Sequence, residues 1–304
     1  MTEVLVDVEG RRLKLSNLDK VLYPRTGTTK GEVINYYAQI APVLLSHLAG
    51  RAVTRIRWPN GVEQQSFFEK NAPAGTPSWV RTVRVPTTGS RWGENADSRP
   101  GELVFPIAED LATLTWLANL AALELHVHQW TVDAAGAIEL PNRLVIDLDP
   151  GEPAGLFECC QVALLVNEQL AAYGLTGKAV TSGSKGLHVY AALPDRRLPP
   201  GFESTSDLAK QIAEQLQAAH PKLVTAAMTK AKRPGKIFLD WSQNAGAKTT
   251  ISPYSLRGRE FPYVATPVTW AEVEAGAEDE FGLEQFRFEQ VLQRVAEHGD
   301  LFLS

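Results

Sequence analysis

The sequence predicts an α/β protein of the α+β kind, with mostly antiparallel sheets. Short strand-like runs and longer helix-like runs are mixed without strict βαβ alternation. A Gly/Ser turn joins two strand-like segments, Val180-Thr181 and Leu187 to Ala192, as in a hairpin. The apolar run LVIDLDP, Leu144 to Pro150, reads as a strand carrying two aspartates two residues apart.

The elements follow in order. Leu5 to Leu15 reads as a hairpin around Glu9-Gly10. Thr29-Lys30-Gly31-Glu32 has capping-box spacing and opens a helix from Lys30 to about Leu48. Val53 to Trp58 is a strand, and Phe67-Phe68 ends another short one. Thr87 to Pro100 bears Gly, Ser and Pro and reads as an exposed loop. Asp110 to Leu123 is a helix, followed by a strand from Glu124 to Trp130. After the strand Leu144 to Leu148 comes a helix from about Gly155 to Tyr173. Beyond the 180–192 hairpin, a long helix covers about Ser206 to Ala219, Lys236 to Trp241 is a strand, and helices close the chain. No internal repeat or low-complexity tract stands out.

The 304 residues are enough for a large core and one or two domains. An apolar content of 44% with 21% charged residues describes a soluble globular chain and excludes a disordered one. The apolar run Leu111 to Leu125 is too short for a membrane span and contains Thr, Asn and Glu. The N-terminus lacks a basic region followed by an apolar stretch, so a cytoplasmic location is expected. The two cysteines, Cys159 and Cys160, are adjacent and read as buried thiols on a helix, with no zinc spacing.

A net charge of −5 does not advertise nucleic-acid binding, but it hides clustering. Lys230, Lys232, Arg233 and Lys236 stand together, with Lys248, Arg257 and Arg259 close behind. Arg55 and Arg57 form an i, i+2 pair, while the acids gather from Glu272 to Glu284. Either the basic residues form a groove that steers phosphates, or they are ordinary solvated surface.

Asp147 and Asp149 would project from one face of their strand. At ~4 Å and an effective dielectric of ~20, their repulsion is on the order of 4 kcal/mol. A proton or a cation relieves it, and oxygen ligands favour Mg²⁺ or Mn²⁺. The alternative is a strand end whose Asp caps the Asp-Pro turn. Asp240 in KIFLDW faces away from Leu239 and can complete a trio. Three carboxylates around two cations is the design of two-metal phosphoryl transfer. The other reading of Asp240 is a surface ion pair with a nearby lysine.

In TSGSKGLHVY, Thr181 to Tyr190, glycines bracket Ser184-Lys185. Such a turn can offer backbone N–H groups to an anion, with Lys185 and His188 as further donors. Alternatively it is a plain hairpin with an exposed lysine. LELHVHQW puts His126 and His128 on one strand face, as a metal pair or as one inward histidine. Phe67 and Phe68 are an aromatic platform for a base, worth roughly 1–3 kcal/mol per stacked base, or they are core. At most one of two adjacent strand aromatics should face inward.

In order along the chain, LSNLDKVLYPRTGTTK, TRIRWPNGV, FFEK, ALELHVHQW, LVIDLDPG, VTSGSKGLH, MTKAKRPGKIFLDWSQN and KTTISPYSLRGR together resemble the polymerase domain of bacterial ligase D. That domain is a member of the archaeo-eukaryotic primase superfamily. The resemblance runs from about residue 12 to about 300. It implies a two-lobed primase-polymerase fold with an RRM-like catalytic sheet flanked by helices. The N-terminal lobe would cover about residues 1–120 and the catalytic lobe about 121–304. It implies template-directed nucleotidyl transfer with two Mn²⁺ or Mg²⁺ ions, filling gaps or extending ends in DNA repair or non-homologous end joining.

Residue by residue, the resemblance makes Asp147 and Asp149 ligands of both metals and Asp240 the ligand at the primer 3′-OH. His126 lies near the triphosphate, and Ser182, Ser184, Lys185 and His188 form the triphosphate turn. Arg233, Gln243 and Arg257 surround the incoming NTP or dNTP. Phe67 and Phe68 stack on base and template, and Arg55 and Arg57 are assigned to DNA beside them. Lys20 and Lys30 hold the 5′-phosphate across a gap, a point target for compact ammonium groups. His128 falls where the family pattern has another residue and receives no role.

No ligase or nuclease sequence is present, so the expectation is a stand-alone polymerase or an excised domain. The segment Thr88 to Glu102 resembles an insertion of stand-alone actinobacterial relatives. The expected partners are gapped or broken DNA, with Ku and a DNA ligase as candidates. A monomer and no membrane contact are expected. The competing functions are a metal-dependent phosphodiesterase and a non-catalytic DNA-end binding module.

Overall fold

The computed structural model describes residues 3–87 and 101–303. Two larger sheets organise the chain, and only their strands are numbered here. The first contains β1 (Val53–Arg57), β2 (Phe67–Glu69), β3 (Ala122–Val127) and a strand Thr250–Ile251 that becomes β9 in chain order. The second contains β4 (Arg143–Pro150), β5 (Gly177–Thr181), β6 (Leu187–Ala192), β7 (Val224–Thr225), β8 (Ile237–Asp240) and β10 (Thr266–Val268). The strand orders are β9-β3-β1-β2 and β7-β8-β4-β6-β5-β10. Pairing in these sheets is antiparallel except for β7 with β8. The α+β expectation is met.

Among the described residues six α-helices complete the architecture: α1 (Lys30–Leu48), α2 (Leu111–Asn119), α3 (Leu156–Ala172), α4 (Thr205–Ala219), α5 (Trp270–Glu278) and α6 (Phe288–His298). The capping box read from the sequence starts α1: Glu32 donates its backbone N–H to Thr29 Oγ1, and Thr29 donates its own to Glu32 Oε2 at 2.7 Å. Its buried stripe, including Tyr36, Tyr37, Ile40 and Leu44, packs with α2 on the first sheet. α2 ends earlier than expected because Ala121 turns the chain at φ 56° directly into β3. The expected strand 124–130 is likewise split, and a separate strand starts at Trp130.

The second sheet shows why alternation matters. Leu144, Ile146 and Leu148 of β4, with Leu187 and Val189 of β6, join one core beneath α3 and α4. Burying each such side chain contributes about 1.5–3 kcal/mol relative to exposure. The alternating residues, Asp147 and Asp149 of β4 and His188 of β6, must then point away from the helices. One face of the sheet is the larger core, and the other carries these polar residues beside a small cluster of Val145, Val180, Tyr190 and Ile251.

The structure also carries hairpins the sequence reading did not isolate: Thr82–Thr87 with Gly101–Pro106, and Trp130–Val132 with Ile138–Pro141. The first flanks the expected loop, most of which lies outside the described residues. The lobe division near residue 120 is crossed by the chain. β3 and β9 complete the first sheet, and Tyr254, Leu256, Val264 and Val291 enter its core. Among the described residues no helix is long and apolar enough to cross a membrane.

Candidate active site

β4 lies between β6 and β8, and register brings the predicted acids together. Asp147 stands opposite Asp240 on one side and opposite His188 on the other. Directly paired residues share a face with Cβ atoms about 4.5–5.5 Å apart. His188, Asp147 and Asp240 therefore form a row across three strands, with Asp149 one step along. His188 Nε2 lies 3.2 Å from Asp147 Oδ1, and His188 Nδ1 is buried without a hydrogen-bond partner among the described residues.

Asp149 opens onto a cleft of about 740 Å³, yet protein walls crowd it. That crowding and the charge of Asp147, with a smaller effect of Asp240, push its carboxyl up to about 6. His188 and Arg233 pull the other way. The donor set is oxygen-rich and electrostatically under-compensated, which is the chemistry that suits Mg²⁺ or Mn²⁺. Among the described residues no three His, Cys, Asp or Glu side chains meet in metal-holding geometry. Asp240 is instead tied to its own turn: Oδ1 accepts from Ser242 Oγ at 2.6 Å, and Oδ2 accepts from Gln243 Nε2 at 3.0 Å.

The predicted Gly/Ser turn lines the same cleft through Ser182, Ser184 and Lys185. Its geometry corrects one expectation. The N–H groups of Ser184 and Gly186 already donate to Ser182 Oγ, at 3.2 and 3.1 Å, and that of Gly183 donates to Gln285 Oε1 at 2.7 Å. These amides shape the turn and are not held open for an anion. Gln285, unremarked in the sequence, also donates to Gly186 O and clamps the turn from outside. Two glycines are required here. A Cβ on Gly186 would lie 2.1 Å from Leu148 O, and Gly183 has φ +65° with Arg257 Cγ 2.6 Å from the Cβ position. Lys185 Nζ reaches out to Glu152 in an exposed ion pair, 2.7 Å.

Cations line the opposite walls. Arg233 stacks on Phe238, the β8 residue opposite Asp149, with its guanidinium 3.6 Å from the ring centroid. Arg257 and His126 come from different elements and meet at Glu124. His126 Nε2 is 2.7 Å from Glu124 Oε2, while Glu124 Oε1 accepts from Gly258 N at 3.0 Å and lies 3.5 Å from Arg257 Nε. Burial alone would raise the Glu124 carboxyl, but His126, Arg257 and the Gly258 N–H hold it down at about 2. Glu124 was missed in the sequence. Its signal was available: an acid at i−2 of a histidine on a strand shares its face. His128 turns the other way, stacks on Trp130 at 4.2 Å and is held neutral by burial, near 4.

The DNA-facing predictions divide. Phe67 and Phe68 are 42% and 59% exposed, so neither packs inward. β2 is a three-residue edge strand with little to cover either face. Arg55 is a correction: it is fully buried, donating to Glu69 Oε2 at 2.8 Å and Asn71 O at 2.6 Å, and cannot reach DNA. Arg57 is mostly buried and donates to Glu69 Oε1 and Leu120 O. Both brace the base of the aromatic strand.

Lys20 and Lys30 do adjoin. Lys30 N–H donates to Lys20 O at 2.8 Å, Lys30 Nζ to Ser16 O at 2.6 Å and Lys20 Nζ to Asn60 Oδ1 at 2.8 Å. Burial, then the charges of Lys20 and Arg57, bring the Lys30 ammonium down to about 8.

A family model described as the LigD primase-polymerase domain matches residues 29–302. The multifunctional non-homologous end joining protein LigD of Mycobacterium bovis is 47% identical over 296 residues, 96% of this chain and 36% of that protein. The bifunctional LigD of Bacillus subtilis is 32% identical over 288 residues, 95% of this chain and 43% of the relative. The chain thus spans well under half the length of these curated relatives. The polymerase domain from Mycobacterium tuberculosis ligase D, solved in complex with DNA, aligns with a TM-score of 0.85 and 46% identity, covering 95% of this chain and 96% of the other.

Proposed function

We propose, from the premise that this chain belongs to the LigD primase-polymerase family, that it is a template-directed nucleotidyltransferase extending DNA 3′ ends at short gaps and breaks. The observation that carries the reading is the charge layout of the cleft: Asp147 and Asp149 on its floor, and Lys185, Arg233 and Arg257 on its walls. An acidic floor suits cations and a hydroxyl nucleophile, while cationic walls suit the phosphates that leave. A cleft of about 740 Å³ has room for a nucleoside triphosphate.

Asp147, Asp149 and Asp240 would hold two Mn²⁺ or Mg²⁺ ions, which when bound would lower a hydroxyl pKa and neutralise phosphate charge. Asp240 must then exchange its bonds from Ser242 and Gln243 for other partners. His126, Arg257 and Arg233 orient the triphosphate and offset charge as pyrophosphate departs. Phe67 and Phe68, exposed on an edge strand, offer stacking surfaces to the nucleotide base and template. Lys20 and Lys30 form a separate corner for the downstream 5′-phosphate. Gapped or broken DNA and an NTP or dNTP are the substrates of this reading, with Ku and a DNA ligase as partners in end joining. The protein acts as a monomer in this account.

Primer extension on gapped DNA tests it. Templated addition with Mn²⁺ that disappears in Asp149→Ala supports polymerisation. Strand cleavage without addition would favour a phosphodiesterase, and binding without either reaction an end-binding module.

A further inference from the structure

We infer that Glu124 is a positioning residue of the triphosphate pocket, using its two carboxylate oxygens to fix His126 and the Arg257 loop so that both face one anion. The inference rests on the proposed nucleotidyl transfer. Glu124 does not itself line the cleft, whereas His126 and Arg257 do.

The geometry begins with β3. Glu124 and His126 alternate onto the same side of the strand, and the Glu124 side chain is 5% exposed. A carboxylate so enclosed must have its oxygens satisfied. Oε2 takes the His126 ring at 2.7 Å. An ionised carboxylate only accepts, so Nε2 is the donor and Nδ1 is left as the ring nitrogen for other partners. Oε1 takes the backbone N–H of Gly258 at 3.0 Å and attracts the Arg257 guanidinium from 3.5 Å.

That second oxygen reaches a different part of the chain. The Arg257 segment lies 133 residues after Glu124 by the numbering. Arg257 N–H donates to Tyr263 O at 2.8 Å, and Arg257 O accepts from Tyr23 Oη at 2.8 Å. The Arg257 backbone thus has two holds besides the one Glu124 places on Gly258 N–H, whereas the guanidinium has Glu124 as its ion-pair partner. Among the described residues Arg257 Nε is buried without a hydrogen-bond partner, so the charge of Glu124 is what steers that end of the side chain. Glu124 thus couples a histidine of the first sheet to an arginine beside the second.

This arrangement has a chemical consequence. An anion approaching His126 and Arg257 meets donors already oriented, so little side-chain entropy is lost on binding. Carboxylates that orient metal-ligating histidines typically matter by about 10–100-fold, and the lower end of that range is the expectation for an anion site. Glu124→Gln keeps the volume and can still accept from Gly258 N–H. It cannot attract Arg257, and its amide forces His126 Nε2 to change from donor to acceptor.

The test uses the full chain, wild type and E124Q, on gapped DNA across nucleotide concentrations. The expected result is a KM for nucleotide raised about tenfold or more, with kcat changed less than about threefold, gapped-DNA affinity retained and thermal midpoint at neutral pH kept within a few degrees. A double-mutant cycle with His126→Ala should show coupling, the effect of E124Q shrinking when His126 is absent. The second arm needs no turnover: inorganic tripolyphosphate is titrated into each protein by calorimetry, and E124Q should bind about tenfold more weakly. Unchanged KM and unchanged tripolyphosphate affinity would overturn the inference. So would equal losses in DNA affinity, kcat and thermal midpoint, which would make Glu124 merely structural. If wild type adds no nucleotide, the nucleotidyl-transfer reading fails, while the tripolyphosphate arm still decides the role of Glu124.

Discussion

The acidic floor of the cleft and the basic corner at Lys20 and Lys30 are opposites in charge and alike in design. Asp149 is pushed up to about 6 by crowding and by Asp147, and Lys30 is brought down to about 8 by burial and by Lys20 and Arg57. In each, like charges are held together against their repulsion, and an ion of opposite sign relieves it. The difference lies in what holds them. The acids sit on rigid paired strands with a hydrophobic core behind them, where register sets the geometry. The lysines sit at a turn and a helix start, tied by hydrogen bonds to Ser16 O, Asn60 and each other's backbone. A reacting centre tolerates little positional error, whereas a phosphate anchor tolerates more. The two regions should therefore fail separately.

The largest separation is expected from Asp147→Ala. Nucleotide addition should fall by at least about a hundredfold while gapped-DNA binding stays within about twofold. Primer extension beside an anisotropy titration checks this, and a parallel loss of binding would mean that the floor is also an anchor. Lys20→Ala combined with Lys30→Ala should cancel the preference for a 5′-phosphorylated gap, about tenfold, and leave addition on unphosphorylated gaps intact.

A smaller effect comes from pH. Lys30 loses its proton as pH rises through about 8, and bound phosphate favours the charged form. The preference for 5′-phosphate should therefore weaken between pH 7 and 9, by a few-fold, and Lys30→Arg should remove that dependence. Competition binding with phosphorylated and unphosphorylated gaps reads it.

The smallest effect is on stability. A carboxyl raised in the folded state favours folding below its unfolded value of 3.8, and that advantage is lost as pH rises through about 6. Asp149→Asn should thus leave the thermal midpoint unchanged near pH 4 and raise it above pH 6. Because Asp149 opens to water, the gain should be only a degree or two. Mn²⁺ should raise the midpoint of wild type and not of this variant.

Legibility in the sequence followed the range of the interactions. The start of the helix at Lys30 is readable to the residue because its capping box is local, and its end only approximately. Asp147 and Asp149 were readable because strand alternation is local too. That Asp240 lands opposite Asp147 depends on register across a long connection: alternation allows the trio, and the family resemblance assigns it. Arg55 misled for a related reason. An i, i+2 arginine pair looks the same whether it faces solvent or Glu69 on the next strand. Glu124 and Gln285 were overlooked because their partners, Gly258 and Gly183, are more than a hundred residues away. The i−2 spacing marks Glu124 as a partner of His126, but nothing local marks either residue as the brace of a distant turn.

The most direct test of the two-region account is single-nucleotide addition with Mn²⁺ on a gapped template, with and without a downstream 5′-phosphate. Wild type, Asp149→Ala and the Lys20→Ala, Lys30→Ala double variant are run together. The account predicts addition by wild type that the phosphate improves, none by Asp149→Ala on either substrate, and equal addition by the double variant on both. Loss of all addition in the double variant, or substantial addition by Asp149→Ala, would contradict it.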